Sequence, residues 1–180
     1  MKRVKDFIGA GSYEDAATAL QELLSDPANQ NFNLYMTLGQ CLTKAGGRDH
    51  EALAAFDNAL KHESNPPAPV FKGLSELHDR MGNYEESGDS LKRQYEVLKS
   101  KGNFAKAVEV GKSVVDRWQK TTKQQNTLKQ INKAASFLYS LLLEEWIEAE
   151  QSKVTTKEHM SLALRLLDLQ YRAVDVKAAA

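Results

Sequence analysis

Tyr35-Met36-Thr37-Leu38-Gly39-Gln40-Cys41-Leu42, followed after a Gly46-Gly47 break by His50-Glu51-Ala52-Leu53-Ala54-Ala55-Phe56-Asp57-Asn58-Ala59, decides the fold. The first run sets an aromatic, a Leu-Gly pair three residues on and a large side chain one turn later at helical spacing, and the second is an apolar stripe built around small residues. A small residue at Gly39 lets one helix approach the next closely, with Ala52 facing it, while Tyr35, Leu38 and Leu42 fill the groove between hairpins. The pattern recurs. Phe71-Lys72-Gly73-Leu74-Ser75-Glu76-Leu77-His78 matches the first run, and the stretches from Gly11 to Leu23 and from Gly82 to Leu91 match the second. Ala16, Ala52 and Ser87 return at a period of roughly 34 residues. Gly46-Gly47 and Gly82 end the first helices of the hairpins, and Asp26-Pro27 and Pro66-Pro67 end the second ones. An ordinary helical bundle with chance spacing is the competing reading, and several co-registered positions count against it.

Toward the C-terminus the regularity degrades. Gly102-Asn103-Phe104-Ala105-Lys106-Ala107 reopens the pattern far less than one repeat after Ser87, so Leu91, Tyr95 and Leu98 are expected on one long helix that also partners the next. A polar break is expected after Lys120, then two helices, about 127–151 and about 155–176, for about nine helices in all. The expected organisation is hairpin units at about 1–27, 32–65 and 68–100 with an irregular hairpin to 118, then 119–180 as further helices of the same array. The last helix carries two apolar stripes, one through Met160, Ala163, Leu164, Leu167, Tyr171 and Val174 and one through Leu162, Leu166, Leu169, Ala173 and Val176. One helix cannot turn both to the same neighbour, so Leu162, Leu166 and Leu169 are expected to form a partner or self-association face, or to meet further chain. The Ala178-Ala179-Ala180 tail reads as an appended one, and the chain as a piece of something longer.

Composition narrows the function classes. In 180 residues, 24 Lys+Arg stand against 24 Asp+Glu, so no global field advertises nucleic acid or anionic lipid, and any such site must be a local patch. The sequence shows neither a signal peptide nor a membrane span. Cys41 is the single cysteine, which excludes an internal disulfide and a cysteine-rich metal site and favours a reducing compartment; it reads as a small apolar filler. His50, His62, His78 and His159 stand apart, with no His-Glu-x-x-His spacing and no glycine-rich phosphate loop, so no enzyme, cofactor or metal is expected. His78 reads as a half-buried core residue. The carboxylates from Glu144 to Glu150 read as a solvated helix face before a cation site.

The two runs opening at Tyr35 and Phe71 resemble the first helix of a tetratricopeptide repeat. That resemblance implies an all-α, right-handed superhelical solenoid of antiparallel helix hairpins, irregular toward the C-terminus. It also implies that the first-helix faces line a concave groove that cradles a peptide or a neighbouring helix. Helical spacing turns Asn33, Met36, Thr37, Gln40 and Lys44 that way, and then Lys72, Gly73, Glu76 and Arg80. Thr37, Pro69 and Gly73 stand where repeats that grip chaperone C-termini carry the Asn, Lys and Arg of a carboxylate clamp, so that activity is not expected. More narrowly, Phe71 to Met81, with the shortened step into Tyr95-Glu96-Val97-Leu98 and Phe104 to Val108, is similar to the N-terminal arm of the superkiller-complex tetratricopeptide scaffold subunit. This implies a cytoplasmic scaffold beside an RNA helicase, WD-repeat subunits and an exosome adaptor in mRNA decay.

The expected function is therefore protein binding without catalysis. A peptide-reading adaptor of another pathway and a direct RNA-binding solenoid stay open. The second rests on Lys112, Arg117, Lys120, Lys123, Lys129 and Lys133, which face the single acid Asp116, although Trp118 alone interleaves as an aromatic.

Overall fold

The computed structural model describes residues 1–125, 127–152, 164–170, 172–173 and 177. Among them are only helices: α1 (Lys2–Gly9), α2 (Tyr13–Leu24), a 3-10 turn (Pro27–Asn29), α3 (Phe32–Ala45), α4 (Asp49–Lys61), α5 (Ala68–Arg80), α6 (Tyr84–Ser100), α7 (Phe104–Gln125) and α8 (Leu128–Ser152). Residues 164–170 are helical as well. The chain divides into two compact units, Met1–Asn83 and Tyr84–Ala180. The boundary expected at 118 falls inside α7.

In the first unit α1, α3 and α5 end where glycine permits the left-handed backbone. Gly11, Gly46, Gly47 and Gly82 all sit near φ +75°, at 74, 79, 73 and 76°. Asn31 caps α3, its side-chain oxygen accepting from Leu34 N–H at 3.1 Å, a contact worth about 1 kcal/mol. Each helix packs on the next in sequence, and α5 also lies beside α3. At the centre stands Phe56, 1% exposed. Its ring lies between two glycines on different helices: a Cβ on Gly39 of α3 would come within 2.9 Å of it, and one on Gly73 of α5 within 2.7 Å. Burial of such a ring contributes about 1.5–3 kcal/mol, and the missing side chains are what let three helices share it. Ala52 and Ala59, both 0% exposed, keep α4 thin on either side. The close approach expected at Gly39 is therefore present, but it receives Phe56, and Gly73 is packing surface for that same ring.

The second unit is organised around an indole. Trp118 of α7 is 3% exposed and lies against Gly88 of α6, where a Cβ would fall 2.4 Å from the indole Cδ1 and Nε1. Phe137 of α8 meets Trp118 edge to face at 5.5 Å and Tyr95 of α6 at 5.3 Å. Gly111 of α7 leaves room for Leu141 and Tyr95. Leu91, Tyr95 and Leu98 do share one long helix. The polar break expected after Lys120 is shorter than the sequence implies, because α7 runs on to Gln125. Thr121 and Thr122 are buried there, their hydroxyls donating to the Arg117 and Gln119 carbonyls at 3.3 and 2.9 Å, which satisfies them without leaving the helix.

Candidate functional site

On the first unit, helical geometry sorts the expected face into two groups. Asn33 and Gln40 of α3 and Lys72 and Glu76 of α5 are exposed, Lys72 and Glu76 pairing with each other at 3.6 Å one turn apart. Thr37 is half-buried, and its hydroxyl donates to the Asn33 carbonyl at 2.7 Å. Among the described residues these side chains form no hydrogen bond or ion pair beyond their own helix. The other members are engaged elsewhere. Met36 is 9% exposed and belongs to the core, since it lies to one side of the polar stripe. Lys44 sits 4.9 Å over the Tyr13 ring. Arg80 donates to Asp49 at 2.6 Å and to the Thr43 carbonyl at 3.1 Å, tying α5 to the ends of α4 and α3.

Arg48 does the same work one step earlier, and nothing in the repeat pattern pointed to it. It donates to Glu14 at 2.6 Å, 34 residues back, and to Glu51 at 2.8 Å. The Arg48 N–H donors hold the Glu51 carboxyl below the usual carboxylate range. Cys41 is buried, as expected, and burial raises its thiol pKa. His78 is half-buried, and its Nδ1 has no hydrogen-bond partner among the described residues.

On the second unit the expected basic stretch separates into different environments. Lys123 and Lys129 are exposed, and Lys120 lies 4.9 Å over the Tyr84 ring. Lys112 and Arg117 are half-buried. Asp116 pairs with Arg165 at 2.5 Å, and the same guanidinium donates to Gln119 at 2.7 Å, so a cation from helix 164–170 joins this face. Lys133 turns away from these lysines: it bonds Asp89 at 2.6 Å and Glu85 at 3.2 Å and lies 4.6 Å over the Trp118 ring.

Two bridges of this kind join α6 to α8. At one end Glu85 accepts from Gln130 at 3.0 Å and from Lys133, and these bonds lower its carboxyl pKa, Gln130 contributing most. At the other, Glu144 accepts from the Tyr95 hydroxyl and from Lys99. Burial first, and Glu144 second, hold Tyr95 neutral well above the usual phenol range. Glu144 is thus a tertiary bridge and not part of a solvated face; the rest of that acidic run, from Glu145 to Glu150, lies outside the described side chains. Between the bridges opens a groove of about 630 Å³. It is lined by Asp89, Lys92 and Arg93 of α6, Trp118 of α7, and Lys133, Ser136 and Phe137 of α8. Gly88 and Gly111, two glycines in helix interiors, were the sequence signal for it, since such glycines cost about 1 kcal/mol each and mark close approach.

Of the leucines expected at a partner face, Leu169 is 0% exposed and Leu166 half-buried, while Leu162 lies outside the described residues. Leu164 and Leu167, on the other stripe, are the exposed ones, at 64 and 60%. The helix turns the stripe opposite to the expected one outward. Among the described residues no group of acidic, histidine or cysteine side chains is placed to hold a metal ion, and no helix is long and apolar enough to cross a membrane.

No protein-family model matches this chain, and no curated protein matches it in sequence. Solved structures do. The structure of the Podospora anserina putative kinesin light chain nearly identical TPR-like repeats is similar at a TM-score of 0.54 and 11% identity, over 98% of this chain and 92% of that one. MamA is similar at a TM-score of 0.47 and 14% identity, over 99% and 96%. The fold of this chain is the all-α, TPR-like array of helix hairpins.

Proposed function

We propose that this chain is a non-catalytic protein-interaction scaffold or adaptor that binds other proteins through the first-helix face of its first unit. One observation carries the reading. Asn33 and Gln40 on α3 and Lys72 and Glu76 on α5, two helices that lie side by side, stay exposed and form no hydrogen bond or ion pair beyond their own helix among the described residues, whereas Lys44 and Arg80 at the end of the same stripes are used to hold the repeats together. A surface kept polar and uncommitted on repeated elements is where such arrays read their partners. Replacing Gln40, Lys72 and Glu76 together by alanine should reduce capture of partner proteins by the tagged chain, with the helical circular-dichroism signal and melting unchanged, because exposed substitutions shift stability little. Undiminished capture would move the site off this face.

The narrower assignment, a cytoplasmic superkiller-like scaffold in exosome-linked mRNA decay, rests on the sequence resemblance of Phe71 to Met81 and the segments after it. Its test is which proteins the chain captures. Recovery of an RNA helicase with WD-repeat subunits supports it, and an unrelated set of partners removes it.

A further inference from the structure

We infer that the outer stripe of α8 is a self-association face on which a second copy of this chain docks antiparallel. Tyr139 and Leu143 stand on that stripe 56 and 47% exposed. Asn132 and Ser136, also exposed, extend it toward the start of the helix. Steps of four, three and four residues separate these positions, the spacing of a coiled-coil seam, which keeps them in one line over about three turns. The stripe is not needed for the core of its own unit, because α8 already packs on α7 through Ile131, Ala134, Leu138 and Leu141, all buried. Among the described residues none of the four exposed side chains has a hydrogen bond, ion pair or ring contact.

The stripe fits itself. Turned end for end about a two-fold axis between Phe137 and Leu138, it sets Tyr139 opposite Ser136 of the second copy and Leu143 opposite Asn132 of the second copy, and symmetry repeats both contacts. Each layer then pairs a large side chain with a smaller one, so knobs meet holes. None of the four is charged, and the seam brings no like charges together. The charge along the helix selects the antiparallel sense. Lys129 and Lys133 lie near the start of α8, and Glu144, Glu145, Glu148 and Glu150 lie in its second half. Antiparallel copies place these opposite signs alongside each other, whereas parallel copies place like beside like. Lys133 and Glu144 are tied to α6 and act through their field alone, while Lys129 is exposed. Four side chains per copy make a small interface, so the dimer forms with rising concentration and is not an obligate unit.

The test uses the whole chain. Light scattering on a sizing column should show a mass that rises from one copy toward two with protein concentration. Tyr139→Lys with Leu143→Lys should weaken that association roughly tenfold or more while the helical circular-dichroism signal holds. Replacing Gln40, Lys72 and Glu76 by alanine should leave it unchanged, so this face and the α3 and α5 face stand or fall separately. Register is read by disulfide trapping. Under mild oxidation, chains carrying Asn132→Cys mixed with chains carrying Leu143→Cys should form a covalent dimer, and neither should do so alone; Cys41 is buried and takes no part. If the double lysine variant loses its fold, the trapping result decides. A parent that stays monomeric up to its solubility limit would overturn the assignment and leave the stripe to another occupant. So would a dimer that survives the double lysine change with its helical signal intact, or cysteine variants that each cross-link with themselves.

Discussion

Phe56 and Trp118 do the same mechanical work in the two units and differ in chemistry. Each is a nearly buried aromatic ring seated where glycine replaces a side chain, Phe56 against Gly39 and Gly73, Trp118 against Gly88. Phe56 has no polar atom and needs only shape, which a repeat supplies twice. Trp118 carries an N–H that must be satisfied, and it draws in Asp89, then Lys133, then Glu85. A repeat built on shape alone can be copied along a chain. A core with a polar handle recruits charges to its edge, and here those charges border a groove.

The sharpest way to break the comparison is to remove each ring. Phe56→Ala and Trp118→Ala should each cost about 3–5 kcal/mol in denaturant unfolding, since both leave a cavity. Hydrogen exchange should then separate them, with amides of α3 and α4 exposed first by the Phe56 change and those of α6 and α7 by the Trp118 change. Exchange that rises uniformly along the chain in both variants would show that the two cores are not separate.

Overpacking is the next smaller effect. Gly39→Leu and Gly88→Leu should each destabilise by about 1–3 kcal/mol, with Gly88→Leu the worse, because it displaces the indole from Asp89 and strips a buried donor of its acceptor. Equal melting shifts for the two would mean that the indole bond contributes nothing beyond shape.

The smallest effect concerns the bridge. Glu85 has a carboxyl pKa lowered by Gln130 and Lys133, so it favours the folded state above the ordinary carboxylate range, and that contribution fades as the pH falls through its folded value. The group is about one-third exposed, so Glu85→Gln should cost less than about 1 kcal/mol at neutral pH. The gap between parent and variant should close in acid; a gap that stays constant with pH would assign the loss to packing.

The repeat, the helix ends and the exposed polar stripe were written in the sequence because each depends on local spacing. A left-handed turn needs glycine at Gly46 or Gly82 whatever lies nearby, and a 3.6-residue period places Asn33, Gln40, Lys72 and Glu76 outward from their helices. What only the tertiary structure decided is which distant residue answers each of these positions. Gly39 meets Phe56, Arg80 reaches Asp49 across 31 residues, and Lys133 and Glu144 reach α6 across 48 and 49. The stripe of the last helix that turns inward, with Leu169 buried and Leu164 exposed, was settled the same way. Such pairings depend on the angle and offset at which helices pack, and those are set by the summed fit of two surfaces. No single stretch of sequence contains that sum.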